Sequence, residues 1–244
     1  MRTVYSNRGV SYAVAYILTE PARICTAIHQ IMVHADVAED FVAKFTAKVG
    51  SLKLGLPWED KVDLTPLPEP AKPQYLRDLC ADAESKGATI ISPGVSQDWG
   101  HTAVFRSIAY PVTAEMRVMQ EEQFGPLIPI AKFNTLAEVE AYVMDSDYGQ
   151  QAAVFSQGTD VKALSGLLDF LTNNVARVNV NTQCQRSPDN FPFTGRKSSA
   201  LGTLSVMEAL RVMSVEALVA TKRKNEQLLK TLADSKACKF LCAL

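Results

Sequence analysis

The sequence lacks the features that would assign it to several special classes of protein. No apolar run among its 244 residues approaches the roughly 20 residues that a membrane-spanning helix needs. The net charge of −1 provides no basic surface for nucleic acid. The five cysteines are odd in number and include no C-x-x-C pair, which argues against a disulfide framework or a zinc site. We therefore predict a cytoplasmic protein that binds no nucleic acid, membrane or metal.

Glycine-rich loops are also absent. The 12 glycines include no G-x-G-x-x-G pattern, which is the usual loop for binding the pyrophosphate of a dinucleotide at a helix N-terminus. The remaining composition, 47% hydrophobic and 21% charged, is that of an ordinary globular protein. It is sufficient for a large buried core in one large domain or two small ones.

Strand-like and helix-like segments alternate along most of the chain. One helix is predicted to begin at Asp36, with Glu39 completing a capping box, and another at Thr135 with Glu138. The first helix would bury a face at four-residue spacing that consists of Val37, Phe41, Phe45 and Val49. Strands are predicted at residues 29–34, 88–92, 103–109, 127–133, 152–156 and 176–180. This alternation predicts an α/β fold with a largely parallel sheet.

Three segments carry a resemblance to a known family. They are RICTA at residues 23–27, EEQFGP at 121–126, and NVN at 179–181 followed by QRSPDNFPF and GRKSS up to residue 199. In this order and spacing they resemble the aldehyde dehydrogenase superfamily over about residues 25–222. QRSPDNFPF points to the non-phosphorylating, NADP-dependent glyceraldehyde-3-phosphate dehydrogenases. The resemblance implies a three-layer α/β catalytic domain with a C-terminal oligomerisation strand.

Cys25 matches the catalytic nucleophile of that family. A thiolate attacks an aldehyde to form a hemithioacetal and, once hydride has left, a reactive thioester. The backbone N–H of Cys25 would help to bind the developing oxyanion. Without the family pattern, a single cysteine is more often a small buried apolar residue.

Four further residues match family positions around the cofactor and substrate. Glu122 matches the glutamate that binds the nicotinamide-side ribose of NADP or NAD, and Phe124 the aromatic residue near the nicotinamide. Arg186 matches an arginine that binds substrate phosphate, and Phe193 a phenylalanine at the substrate entrance. The plainer alternatives are a surface acidic pair before a turn, a solvated arginine and a loop-anchoring aromatic residue.

The sequence departs from the family pattern at several positions. Ile24 stands where the arginine before the nucleophile provides a second phosphate contact. Ala176-Arg177 replaces glycine-threonine, and glycines are replaced by Ser187 and Ala200. The family's general-base glutamate, oxyanion asparagine and nucleotide-binding domain, which precede the nucleophile, have no counterpart here.

We divide the chain accordingly into four parts. Residues 1–24 are the remnant of an upstream domain junction, 25–205 the catalytic domain, 206–222 a helix end and the oligomerisation strand, and 223–244 a tail. The nucleotide-binding domain is absent from this division.

The resemblance supports two main hypotheses. In the first, the chain is the catalytic portion of a dehydrogenase that oxidises a small aldehyde, with glyceraldehyde 3-phosphate favoured, and assembles as a homodimer or homotetramer. In the second, it is catalytically inactive and associates with full-length subunits through an edge strand. The hypothesis that this chain is a dehydrogenase active on its own ranks last. The sequence does not decide whether the cofactor is NAD or NADP, or whether Met1 is the true start.

Overall fold

The computed structural model describes residues 2–4 as backbone, and 29–93, 106–156, 158 and 160–235 in full. The chain divides into two units, Met1–Ser205 and Val206–Leu244. The first unit contains the sheet and the motifs that the sequence analysis singled out.

A seven-stranded sheet forms the centre of the first unit. Its strands lie in the order β3-β4-β5-β2-β1-β7-β8. All neighbours are parallel except β3 and β4, which pair antiparallel. The strands are β1 (Arg2–Val4), β2 (Ile31–His34), β3 (Thr89–Ile91), β4 (Ser107–Tyr110), β5 (Leu127–Phe133), β7 (Gln151–Val154) and β8 (Arg177–Val180). The predicted α/β class with a largely parallel sheet is therefore confirmed.

Two short antiparallel pairs lie outside the main sheet. Strand β6 (Tyr148–Gly149) pairs with β10 (Arg196–Lys197), and β9 (Phe193–Thr194) pairs with β11 (Thr203–Leu204). These pairs anchor the part of the chain after β8. Among the described residues of the first unit, the helices are α1 (Ala35–Gly50), α2 (Lys72–Ser85), α3 (Arg117–Gln120), α4 (Leu136–Asp145) and α5 (Val161–Asn174).

The helices cover both faces of the sheet and complete the predicted three layers. Successive side chains of a strand point to opposite faces. In β2, Ile31 and Val33 accordingly pack into one core with Phe41 and Phe45 of α1. Met32 packs into the other core, to which helices α2 to α5 contribute. A sheet buried on both faces explains why the strands are apolar runs rather than alternating ones.

The start of α1 differs from the prediction. The N-cap residue is His34, whose Nδ1 accepts a hydrogen bond from the backbone N–H of Asp36. Glu39 makes no capping box; its carboxylate accepts hydrogen bonds from Tyr110 and Lys132 on the sheet. Val37 is exposed, since the buried face of α1 runs through Ala38 and Val42 as well as the two phenylalanines.

Helix α4 begins as the sequence predicts and ends on a contact that the sequence does not reveal. The capping box of Thr135 and Glu138 is present, and Val139 and Val143 are buried. At the other end, the Lys197 ammonium donates hydrogen bonds to the carbonyl oxygens of Val143, Met144 and Ser146, at 2.6, 2.9 and 2.6 Å. A cation at a helix C-terminus satisfies carbonyls that have no partner within the helix.

The second unit contains α6 (Val206–Val212), a short 3-10 turn (Arg223–Asn225) and α7 (Glu226–Asp234). The strand predicted within residues 206–222 is not confirmed, because residues 215–222 form neither helix nor strand. A strand needs a hydrogen-bonded neighbour, and this segment has none within the single chain described. In the part of the chain that the structure describes, no helix could span a membrane.

Candidate active site

The candidate site lies at one edge of the main sheet. Parallel strands have their amino ends at the same edge, so the residues just before β2, β5, β7 and β8 are brought together there. These are His29 and Gln30, the hexapeptide EEQFGP, the segment Tyr148–Gln150, and Ala176. Cys25, the predicted nucleophile, lies outside the described residues, four positions before His29.

His29 and Gln123 join the start of β2 to the hexapeptide. The His29 Nδ1 lies 2.7 Å from Gln123 Oε1, and the Gln123 amide donates to the His29 carbonyl oxygen at 3.1 Å. Gln123 is only 3% exposed. A reciprocal pair of this kind, shielded from water, fixes the two segments relative to each other.

The two glutamates of the hexapeptide have different environments. Glu121 accepts two hydrogen bonds from the Arg117 guanidinium, at 2.6 and 3.0 Å, and one from the Tyr75 hydroxyl at 3.2 Å. The Arg117 guanidinium is the main reason that the pKa of the Glu121 carboxyl is lowered. Burial, followed by the charge of Glu121, raises the pKa of Tyr75 to about 12, so its hydroxyl remains a donor at neutral pH. Glu121 is thus a structural anchor.

Glu122, in contrast, is exposed at the sheet edge. Among the residues that the structure describes, its carboxylate has no hydrogen-bond or ion-pair partner. Its charge does act on Tyr148, whose pKa is raised first by burial and then by the Glu122 carboxylate. A carboxylate that is held on a fixed backbone and remains available can accept hydrogen bonds from a ligand.

Phe124 follows with a backbone φ of 41°. This left-handed conformation is unfavourable for a residue with a side chain, by about 1–2 kcal/mol, and persists only where the surrounding structure imposes it. The half-buried ring lies 6.0 Å from the Lys72 ammonium. Gly125 comes so close to α2 that a Cβ there would lie 2.8 Å from Leu76 Cδ1. The hexapeptide is therefore fitted tightly to α2.

A second network holds the loop that contains Arg186. The Arg177 guanidinium donates to the carbonyl oxygens of Gln185 and Ser187, at 2.9 and 3.0 Å. The Gln151 side chain both accepts from the Gln185 N–H and donates to its carbonyl oxygen. Arg177 and Gln151 open β8 and β7, so these contacts bring the Arg186 loop back to the amino edge of the sheet.

Buried Asn179 connects the members of this network. Its Oδ1 accepts a hydrogen bond from Arg177 Nε at 2.8 Å. The two hydrogens of its amide group are shared among three acceptors, which are Gln151 Oε1, the Ala152 carbonyl oxygen and Cys184 Sγ, at 3.2, 3.1 and 3.4 Å. Asn179 thereby links two strands to the loop, while Asn181 bonds the backbone of Ser156 on the opposite, carboxyl side of the sheet.

Arg186 and Phe193 are in contact. The Cζ of exposed Arg186 lies 4.8 Å from the centroid of the Phe193 ring, and no carboxylate among the described residues pairs with this guanidinium. Arg177 stacks in the same way on Phe191, at 5.6 Å. Both guanidinium groups are held against a ring, but the N–H groups of Arg177 donate to Asn179, Gln185 and Ser187, whereas those of Arg186 remain able to bind an anion.

A known protein family matches most of this chain. Residues 6–218 match the aldehyde dehydrogenase family. The chain belongs to that family. It spans about two fifths of the length of the curated relatives reported below.

Two curated aldehyde dehydrogenase relatives and one solved structure illustrate the similarity. The NADP-dependent glyceraldehyde-3-phosphate dehydrogenase of Streptococcus equinus is 32% identical over 78% of this chain and 38% of its own length. The sulfoacetaldehyde dehydrogenase of Neptuniibacter caesariensis is 30% identical over 78% and 40%. The crystal structure of the Bacillus halodurans NADP-dependent glyceraldehyde-3-phosphate dehydrogenase with NADP superposes with a TM-score of 0.80. It is 31% identical and covers 88% of this chain and 44% of that one.

Several residues of the candidate site are not revealed by the sequence motifs. Tyr75, Arg117 and Gln151 lie outside all three motifs, and no local pattern marks them. Asn179 is inside NVN, but the motif gives no role for its side chain. Arg177 is conspicuous only as a departure from the family pattern. Among the described residues, no group of three or more His, Cys, Asp or Glu side chains could hold a metal ion.

Proposed function

We propose that this chain is the thiol-bearing portion of an enzyme that oxidises a small anionic aldehyde to the carboxylic acid. The observation that carries the proposal is the pair formed by the available Glu122 carboxylate and the constrained Phe124. They stand at the edge where β2 begins, and Cys25 comes just before that strand in the sequence.

The residues present fit the nicotinamide half of NADP or NAD. The Glu122 carboxylate can accept hydrogen bonds from both ribose hydroxyls, and the Phe124 ring can pack beside a flat heterocycle. NADP is preferred over NAD because the Streptococcus equinus relative is named as NADP-dependent and the Bacillus halodurans structure contains NADP. When bound, the nicotinamide supplies the hydride acceptor.

Cys25 is proposed to act as the nucleophile. Its thiolate adds to the aldehyde carbon, and the carbonyl oxygen becomes the oxyanion of a hemithioacetal that the Cys25 N–H would stabilise. Loss of hydride restores the carbonyl and leaves a thioester. Water then adds, the thiolate leaves, and the acid and one proton are released.

The substrate is proposed to carry an anionic group, with glyceraldehyde 3-phosphate as the first candidate. The exposed Arg186 guanidinium, held against Phe193 without a carboxylate partner, supports binding of phosphate. The two curated relatives are named for glyceraldehyde 3-phosphate and sulfoacetaldehyde, which both carry an anionic group. Ile24 would contribute no second phosphate contact.

Alkylation by iodoacetamide at pH 7 tests the nucleophile. Cys80 and Cys184 are buried, and burial raises the pKa of the Cys80 thiol to about 11. An activated Cys25 thiolate is expected to react at least about tenfold faster than either, as measured by mass spectrometry of its tryptic peptide. The Cys25→Ser variant provides the control for peptide assignment. Equal labelling of Cys25 and Cys80 would contradict the proposed nucleophile.

Association with full-length subunits is the second candidate function. It is supported by exposed apolar side chains in and after α6, including Val215 and Leu218, which are 95% and 89% exposed. Such a segment suits pairing with the sheet edge of another subunit.

Co-purification with a full-length aldehyde dehydrogenase of the same cells tests this candidate. We expect the tagged chain to retain that subunit, and Leu218→Lys to lose it. Leu201→Lys is the matched control, because Leu201 is equally exposed but lies in the first unit. If the wild-type chain does not co-purify with the full-length subunit, the association is excluded. If it does co-purify but both variants behave alike, the segment that contains Leu218 is not the contact.

A further inference from the structure

The start of helix α2 is fitted to the hexapeptide by three residues that no motif contains. The Tyr75 hydroxyl lies 3.2 Å from both Glu121 Oε2 and the Glu122 carbonyl oxygen. Both distances are longer than a single O–H···O bond, as expected for one hydrogen shared by two acceptors. Leu76 fills the space beside Gly125, and the Lys72 ammonium lies 4.7 Å from the centroid of the Tyr75 ring and 6.0 Å from that of the Phe124 ring.

Arg117 fixes the position of one of the two acceptors of Tyr75. Because Arg117 already holds the Glu121 carboxylate with two hydrogen bonds, Tyr75 meets that carboxylate in a fixed place. The second acceptor of Tyr75 is the backbone carbonyl of Glu122, which is part of the peptide that leads to Gln123. Fixing this peptide plane limits the rotation that would swing Glu122 away and would release Phe124 from its left-handed conformation.

We infer that Tyr75 is a positioning residue that orients Glu122 and Phe124 toward the cofactor. The inference rests on the proposed function, since it assigns Tyr75 to the same cofactor-binding edge. The Tyr75 hydroxyl is engaged by Glu121 and Glu122, so we assign Tyr75 an indirect role. It acts through the Glu122 carbonyl, while Glu122 supplies the carboxylate.

The test uses Tyr75→Phe in the full chain, with Tyr110→Phe as the matched control. Tyr110 also donates its hydroxyl to a glutamate, Glu39 at 2.7 Å, but on the α1 side of the sheet. The first readout is hydrogen exchange of the amides of residues 122–124, which we expect to accelerate in Tyr75→Phe alone. The second is titration with nicotinamide mononucleotide, whose affinity we expect to fall about 3- to 10-fold, the loss of one hydrogen bond. Thermal melting checks that both variants fold.

The outcomes separate this inference from the proposed function. Unchanged exchange at residues 122–124 in Tyr75→Phe overturns the role of Tyr75, whether or not a ligand binds. The role of Tyr75 is also overturned if Glu122→Gln weakens the binding of nicotinamide mononucleotide while Tyr75→Phe leaves the affinity unchanged. If the wild-type chain does not bind nicotinamide mononucleotide, or if Glu122→Gln binds it equally well, the proposed role of Glu122 is contradicted. The exchange rates then still decide whether Tyr75 holds the loop.

Discussion

Replacing Asn179 with alanine is expected to lower the free energy of unfolding by about 3 kcal/mol. Asn179 is 4% exposed. Its Oδ1 accepts a hydrogen bond from Arg177 Nε, and its two amide hydrogens are shared among three acceptors around β7 and Cys184. Alanine removes all of these contacts and fills none of the space. The polar atoms of Gln151 and Arg177 would then be left with fewer partners in a region that water reaches poorly, and this desolvation dominates the loss.

Urea denaturation of Asn179→Ala measures this loss. Asn173→Ala is the matched control, because Asn173 is exposed on α5 and its amide makes one hydrogen bond, to the Asp169 carbonyl oxygen. The control is expected to change the free energy of unfolding by less than about 0.5 kcal/mol. A loss below about 1 kcal/mol in Asn179→Ala would show that the network does not depend on this residue.

The same variant is expected to loosen the loop that contains Arg186. Asn179 accepts a hydrogen bond from Arg177 Nε, and the same guanidinium donates to the Gln185 and Ser187 carbonyls. We expect the contacts of Arg177 with the loop to weaken when Asn179 is lost. Trypsin should therefore cleave after Arg186 faster in Asn179→Ala than in Asn173→Ala under native conditions. Equal cleavage rates in the two variants would show that the loop stays ordered without Asn179, whatever the effect on the stability of the sheet.

The parts of the fold that local patterns determine could be predicted from the sequence. Strand β5 (Leu127–Phe133) has the predicted bounds, because an apolar run between a Gly-Pro turn and a capping box leaves little freedom. By contrast, the predicted start of α1 was wrong. His34 is both the last residue of β2 and the N-cap, and an imidazole is not among the usual capping side chains. Asp36 and Glu39 had the right chemistry for a cap, but tertiary contacts engaged Glu39 with Tyr110 and Lys132 instead.

The site was predictable only where a motif is contiguous. Glu122 and Phe124 are neighbours in one hexapeptide, so the family pattern identifies both. Tyr75 contacts this hexapeptide from 46 residues away, and no spacing rule connects a helix to a loop at that separation. The environment also separates Glu121 from Glu122: the sequence shows two adjacent glutamates, and only the contact with Arg117 makes one an anchor and leaves the other available.

Replacing Gly149 with alanine is expected to lower the free energy of unfolding by about 3 kcal/mol. A Cβ at this position would lie 2.6 Å from the Asn174 carbonyl oxygen and 3.1 Å from both the Cβ and the carbonyl oxygen of Arg196. Two of these three atoms belong to backbone, which cannot rotate away as the end of a side chain can. The clash would separate β6 from β10, the pair in which Gly149 faces Arg196, and thereby disturb the segment that follows Phe193.

Gly166→Ala is the matched control and should have the opposite sign. Gly166 lies within α5, is exposed, and has no atom within 4 Å of a built Cβ. Alanine there should raise the free energy of unfolding by about 0.5–1 kcal/mol, since glycine is the more costly residue inside a helix. Urea denaturation of both variants gives the comparison. If Gly149→Ala were as stable as the wild type, β6 and β10 would have to be much less closely packed than these distances indicate. If Gly166→Ala were destabilised, α5 would be packed against something at that face.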